Sequence, residues 1–210
     1  MRIGIIGSGW LGGTVGRIWA QAGHDVMFSS RDPSKLTSLV AKAGPTASAG
    51  THRQAADFGT ALLFAVTYDA LPELGVDLAD SLRGKIVLDA CNPSSSSDNA
   101  LAREGGLSSV GEMSARYLPG ARLVRAFSAV DATAVDASFA HHGQTLGVPL
   151  ASDDAEALRI AAQLVVDAGC EPVITGNLAT GASFQRGGAG FRANTDAPTL
   201  RRRLKLPATA

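Results

Sequence analysis

The chain has 210 residues, 45% of them hydrophobic and 18% charged, which suits one α/β domain with an extension, or two small domains. Its 19 basic and 19 acidic residues cancel and aromatic residues make up only 5%, so nothing in the composition calls for nucleic acid or a membrane surface as a partner. The two cysteines, Cys91 and Cys170, have no metal-like spacing and form no disulfide framework, which favours a reduced cytoplasmic setting; no apolar run approaches the ~18–20 residues of a membrane span.

Residues 2–6 form a short apolar run ended by Gly7 and read as a buried strand. With a strand starting so early, no signal peptide is expected ahead of the fold. From Trp10 onward, Leu11, Val15, Ile18, Trp19 and Ala22 repeat at helical spacing, with Gly23 as a C-cap. A second strand covers 25–29. Asp32-Pro33 then reads as an N-cap followed by a first-turn proline, with Leu36, Leu39, Val40 and Ala43 on one face of the helix. The alternation continues through a strand at 47–49, a helix at 51–58, a strand at 61–66 and a helix at 69–81. A strand at 85–90 and a polar loop at 94–106 follow. Helices at 110–118, 132–140 and 153–168 alternate with strands at 122–127, 144–148 and 172–175. Alternating elements with continuously apolar strands predict an α/β fold: a Rossmann-like, doubly wound, mainly parallel sheet with helices on both faces. The domain is expected over 1–176. Residues 177–210, glycine-rich and then basic, are read as an extension that packs on it or is partly disordered.

Gly7-Ser8-Gly9-Trp10-Leu11-Gly12 is a G-x-G-x-x-G sequence between a strand and a helix, the context a dinucleotide fingerprint requires. Gly7 permits the tight turn, Gly9 the approach of a pyrophosphate, and Gly12 close packing of helix on strand. NAD-binding versions carry an acid ~20 residues further on to hold the adenosine ribose. Here that slot is Ser29-Ser30-Arg31, and the first carboxylate, Asp32, is employed by the helix start. A hydroxyl and a guanidinium suit a 2′-phosphate, and Lys35 adds a second positive charge, so NADP is favoured over NAD.

The opening "RIGIIGSGWLGGTVGRIWAQAGHDVMFSSRDPSKL", with "LLFAVTYDALPEL", "GKIVLDACNP" and "YLPGARLVRAFSAV", closely resembles the NADPH-dependent deazaflavin (coenzyme F420) oxidoreductases, relatives of the cytoplasmic domains of the STEAP metalloreductases. The resemblance implies hydride exchange between NADP(H) and a flavin-type ring, with F420 or a flavin as second substrate. It places Ser8, Trp10 and Leu11 in the pyrophosphate loop and Ser30, Arg31 and Lys35 at the 2′-phosphate. Val66 and Thr67 fall beside the ribose and nicotinamide, with Asn92, Pro93 and Ala129 at the neighbouring strand ends. Ser128 departs from the Asn that family members commonly have there. The 94–106 loop and the tail border the region where the second ring would lie.

Hydride transfer between two such rings demands alignment more than acid–base groups, so no catalytic residue and no metal site is expected. Cys91 reads as a small buried residue and His24, His52, His141 and His142 show no ligand spacing. Asp131 reads as a helix cap, and Arg201-Arg202-Arg203 with Lys205 as a solvated end. Two other functions remain: an NADPH-dependent reductase of another small substrate such as a carbonyl or imine, and a non-catalytic NADP-binding sensor. The expected partner is a small-molecule hydride acceptor, and an unfinished site on one small domain favours a homodimer.

Overall fold

The computed structural model describes residues 1–93 and 109–207; the 94–106 loop expected from the sequence lies outside them. Six strands run parallel: β1 (Arg2–Ile6), β2 (Asp25–Ser29), β3 (Ala47–Gly50), β4 (Ala61–Phe64), β5 (Ile86–Asp89) and β6 (Arg122–Arg125). With β7 (Gly147–Ala151) and β8 (Glu171–Gly176) they make one sheet of order β3-β2-β1-β4-β5-β6-β7-β8. β7 is antiparallel to β6, touching it through the single pair Arg125↔Ala151, and β8 runs parallel to β7. This is the doubly wound, Rossmann-like arrangement expected from the alternation of elements.

The helices are α1 (Trp10–Gln21), α2 (Thr37–Ala43), α3 (His52–Phe58), α4 (Leu71–Asp77), α5 (Ala79–Leu82), α6 (Val110–Tyr117), α7 (Ala132–Phe139), α8 (Ala155–Asp167) and α9 (Ala197–Arg203). Strand side chains alternate between the two faces, so Ile3 and Ile5 enter one core with Trp19, Phe28 and Leu63, while Ile6 enters the other with Leu62, Phe64 and Val87. Each such burial contributes about 1.5–3 kcal/mol. The Trp19 indole N–H donates to the Leu164 carbonyl at 2.7 Å and its ring meets Phe127 edge-on, which ties α1 to the second half of the sheet.

Several boundaries differ from the sequence expectation. The single helix at 69–81 is a 3-10 turn (Tyr68–Ala70) followed by α4 and α5, broken where Leu78 leaves helical geometry (φ −104°, ψ 8°). The strand expected at 144–148 lies three residues later and contains Pro149. Asp32 does cap by accepting from the Ser34 N–H, but it opens a 3-10 turn (Pro33–Leu36) before α2. The tail forms a 3-10 segment (Leu178–Ser183) and α9, whose Ala197 and Leu200 pack with Val173 of β8. The arginines of the basic cluster therefore form the last turn of a helix capped by Asp196.

Candidate functional site

Strand order reverses between β1 and β4, and at such a switch point the carboxyl ends of the strands open a crevice. The registers bring Ile6, Ser29 and Phe64 level. A cleft of about 680 Å³ lies there, lined by Gly7, Ser8, Gly9, Ser29, Ser30, Arg31, Val66 and Thr67 with Leu36, His52, Ala70, Glu73, Leu74 and Asp77. The glycine turn is built as its spacing predicts. Gly7 holds φ +97°, where a Cβ would also lie 2.5 Å from the Ala65 carbonyl. A Cβ on Gly12 would lie 2.0 Å from the Gly7 carbonyl oxygen, whereas one on Gly9 would meet nothing within 4 Å. Two of the three glycines thus serve the protein's own packing, and Gly9 leaves its backbone open to the cleft.

The Ser29–Arg31 slot is more constrained than its sequence shows. The Ser8 hydroxyl donates to the Ser29 carbonyl and accepts from the Ser29 N–H, both at 3.0 Å, locking the glycine turn to β2. The buried Ser29 hydroxyl donates to the Ile5 carbonyl at 2.6 Å and lies 2.8 Å from His52 Nδ1. Ser29 therefore lines the cleft with its hydroxyl already engaged. Arg31 is exposed and, among the described residues, has no hydrogen bond or ion pair to hold it back from a ligand. Lys35 instead pairs with Asp32 at 3.7 Å and lies outside the cleft lining. Trp10 is three-quarters exposed on the first turn of α1; neither it, Leu11 nor Gly12 lines the cleft.

Asn92, Pro93 and Ala129 come together further along the edge, apart from that cleft. Asp89 and Arg125, both fully buried, form an ion pair at 2.6 Å where β5 and β6 end. Arg125 also donates to the Cys91 carbonyl at 2.6 Å and to Asn92 Oδ1 at 3.1 Å, and Asn92 Nδ2 donates to the Ser128 carbonyl at 2.6 Å. Asn92 is thereby held by the protein on both ends of its amide. Ala129 is buried in a cluster with Ala151 and Phe184, and its carbonyl accepts from the Arg192 N–H at 2.8 Å. Ser128 is buried too, with a hydroxyl that has no hydrogen-bond partner among the described residues, next to Phe127 at φ +57°. Ala129, placed by the resemblance at a strand end beside the nicotinamide, faces the protein interior instead, because Phe184 of the tail packs against it.

The tail also explains Asp131. Its side chain makes no cap; the carboxylate accepts from Asn194 Nδ2 at 2.6 Å and pairs with Arg192 at 2.5 Å. Cys91 is buried, and burial beside the Asp89 carboxylate pushes its thiol well above the ordinary range, so it is inert as a nucleophile. Burial also pushes Cys170 up, to about 11. Among the described residues no cluster of His, Cys, Asp or Glu is arranged to hold a metal, and no helix is long and apolar enough to cross a membrane.

The sequence reading missed His52, Glu73 and Asp77 in the cleft and the Asp89–Arg125 pair beside it. His52 had one signal, its place two residues past the end of the strand adjacent to β2. The ion pair had a plainer one: a carboxylate that ends the otherwise apolar β5, and an arginine at the end of the neighbouring β6.

Fold and cleft together define a Rossmann-like domain with an open crevice at its switch point, and comparison with known proteins finds its first part similar to an NADP-dependent oxidoreductase family. Residues 2–93 match the family described as NADP oxidoreductase, coenzyme F420-dependent. No curated protein matches the chain. Among solved structures, a hypothetical protein from Sinorhizobium meliloti is similar at 25% identity and TM-score 0.76, covering 92% of this chain and 93% of that one. An Arthrobacter protein provisionally described as an F420-dependent NADP reductase is similar at 23% identity and TM-score 0.69, covering 86% of each chain. An imine reductase from Myxococcus stipitatus, solved with NADP+, shares 21% identity at TM-score 0.64; the match covers 87% of this chain but 57% of that longer one.

Proposed function

We propose that this chain binds NADP(H) in the β1–β2–β4 cleft and exchanges a hydride with a deazaflavin of the F420 type or a flavin. The observation that carries the nucleotide half is the pairing of an open Gly9 backbone with an uncommitted Arg31 in the slot where NAD-binding proteins place an acid. The residues fit the group. Gly7, Ser8 and Gly9 offer a backbone cradle beside the first turn of α1, whose free N–H groups and dipole favour phosphate. Ser30 and Arg31 offer a hydroxyl and a bidentate fork to a 2′-phosphate. Glu73 and Asp77, on α4, suit an amino-group donor such as the adenine edge.

When bound, the dihydronicotinamide supplies the hydride. What the chain contributes is position. Val66 and Thr67 close the wall leading from the glycine turn, and Asn92 is clamped by Arg125 and the Ser128 carbonyl, so the edge presents a fixed surface. Hydride transfer depends on such alignment of the reacting atoms. The acceptor half of the proposal is supported by the family match over residues 2–93 and by the Arthrobacter relative.

Stopped-flow mixing of the protein and NADPH with a deazaflavin, a flavin or an imine tests the reading. Loss of NADPH absorbance with a ring acceptor, and little with the imine, is the expected result. Oxidation by the imine alone would make the chain a reductase of small substrates, and tight NADPH binding with no oxidation would make it a sensor.

A further inference from the structure

His52 stands where the missing acid would be met, and its neighbours fix its chemistry. The Ser29 hydroxyl has one proton, and that proton goes to the Ile5 carbonyl, which can only accept. At 2.8 Å from His52 Nδ1 the same oxygen must therefore accept. Nδ1 carries a proton in either charge state, and Nε2 is the atom that titrates. Nε2 makes no hydrogen bond among the described residues, and His52 lines the cleft with Ser30 and Arg31.

A lone pair at Nε2 accepts a hydrogen bond from a hydroxyl; a proton there donates to an anion. We infer that His52 is a specificity residue that reads the 2′ position of the adenosine ribose: neutral toward a 2′-hydroxyl, protonated toward a 2′-phosphate, with the proton drawn from solvent on binding. The inference rests on the NADP reading of the cleft.

The charged surroundings agree. In the free protein, partial burial first and the Arg31 charge second hold the His52 imidazole below its ordinary pKa, so near neutral pH it is uncharged. Across the cleft, α4 presents Glu73 and Asp77. On its own helix Arg53 is turned to the Asp77 carbonyl and Asp57 accepts from Ser81. Arg2 of β1 lies over Phe58 at the other end of α3, and β3 carries no charged residue. A phosphate dianion beside Arg31 cancels the repulsion and favours the cation. Proton uptake then occurs between the free and bound pKa, and affinity falls as pH rises through the bound value.

Affinity for NADPH and NADH is to be measured between about pH 7 and pH 9, above the phosphate's own second ionisation near ~6. Expected for the wild type is a fall of about three- to tenfold in NADPH affinity across this range, with NADH flat. In His52→Gln both profiles should be flat, and the NADPH-over-NADH ratio near neutrality should shrink. Calorimetry of the wild-type protein in two buffers of different ionisation enthalpy reads the proton directly and needs no variant; uptake with NADP+ and none with NAD+ is expected. Equal slopes for the two nucleotides, or NADP+ binding without proton uptake, would overturn the role of His52 while leaving the cleft's NADP reading intact. Failure to bind either nucleotide would overturn both.

Discussion

One edge of one sheet carries two opposite constructions. At the β1–β2–β4 end, polar groups face an open cleft: Arg31 has no protein partner among the described residues, and the space beyond Gly9 is empty. At the β5–β6 end, the charged groups are spent on one another and on their neighbours. Asp89, Arg125 and Asn92 bond among themselves and to strand-end carbonyls, and the tail lies over the rest. Both ends are rich in charge, so charge alone does not mark a ligand site. What separates them is whether the charged groups already have partners: Arg125 does, and Arg31 has none among the described residues.

That contrast can be broken most forcefully at the closed end. Asp89→Ala leaves a buried guanidinium without its counter-ion and should cost about 3–5 kcal/mol of stability, read as a shift in the urea midpoint. Replacing both partners with apolar residues should recover part of the loss. An Asp89→Ala protein as stable as wild type would mean the pair is not buried as described. At the open end the signs reverse. Arg31→Ala should leave stability within about 0.5 kcal/mol while NADPH affinity falls about ten- to a hundredfold and NADH affinity holds, measured by fluorescence titration. Lys35→Ala sharpens the boundary of the site: because Lys35 is exposed and already paired with Asp32, the change should weaken NADPH by less than about threefold. A loss as large as that at Arg31 would bring Lys35 into the cleft.

The first half of the fold was legible because its signals agree. Apolar runs of strand length, glycines with forced geometry and an Asp-Pro cap put β1, α1 and β2 where the sequence predicts them, and the turn at Gly7 follows with them. The strand at Gly147–Ala151 was displaced because Pro149 argues against a strand interior; β7 tolerates it where its pairing with β6 is reduced to one residue. Ser8, Ser30, Arg31, Val66 and Thr67 follow strand ends, and with Ser29, the last residue of β2, they line one cleft, which is why the sequence could group them. Ala129 follows one too, yet faces inward, since its environment is set by Phe184, which local pattern does not connect to it. The role of His52 was hidden for a related reason: it depends on which way the Ser29 proton points.

The two ends also differ in when the chain can complete them. The β1–β2–β3 side of the cleft closes through short separations, Ser8 to Ser29 across 21 residues and Ser29 to His52 across 23. The far end waits for partners 63 residues on, Asn194 for Asp131, and 93 residues on, Arg186 for Pro93. Closing a longer loop costs more chain entropy before any contact repays it. As the chain emerges during synthesis, the β1–β2–β3 side of the cleft therefore has its partners early, and the clamp around Ala129 gains its partners late.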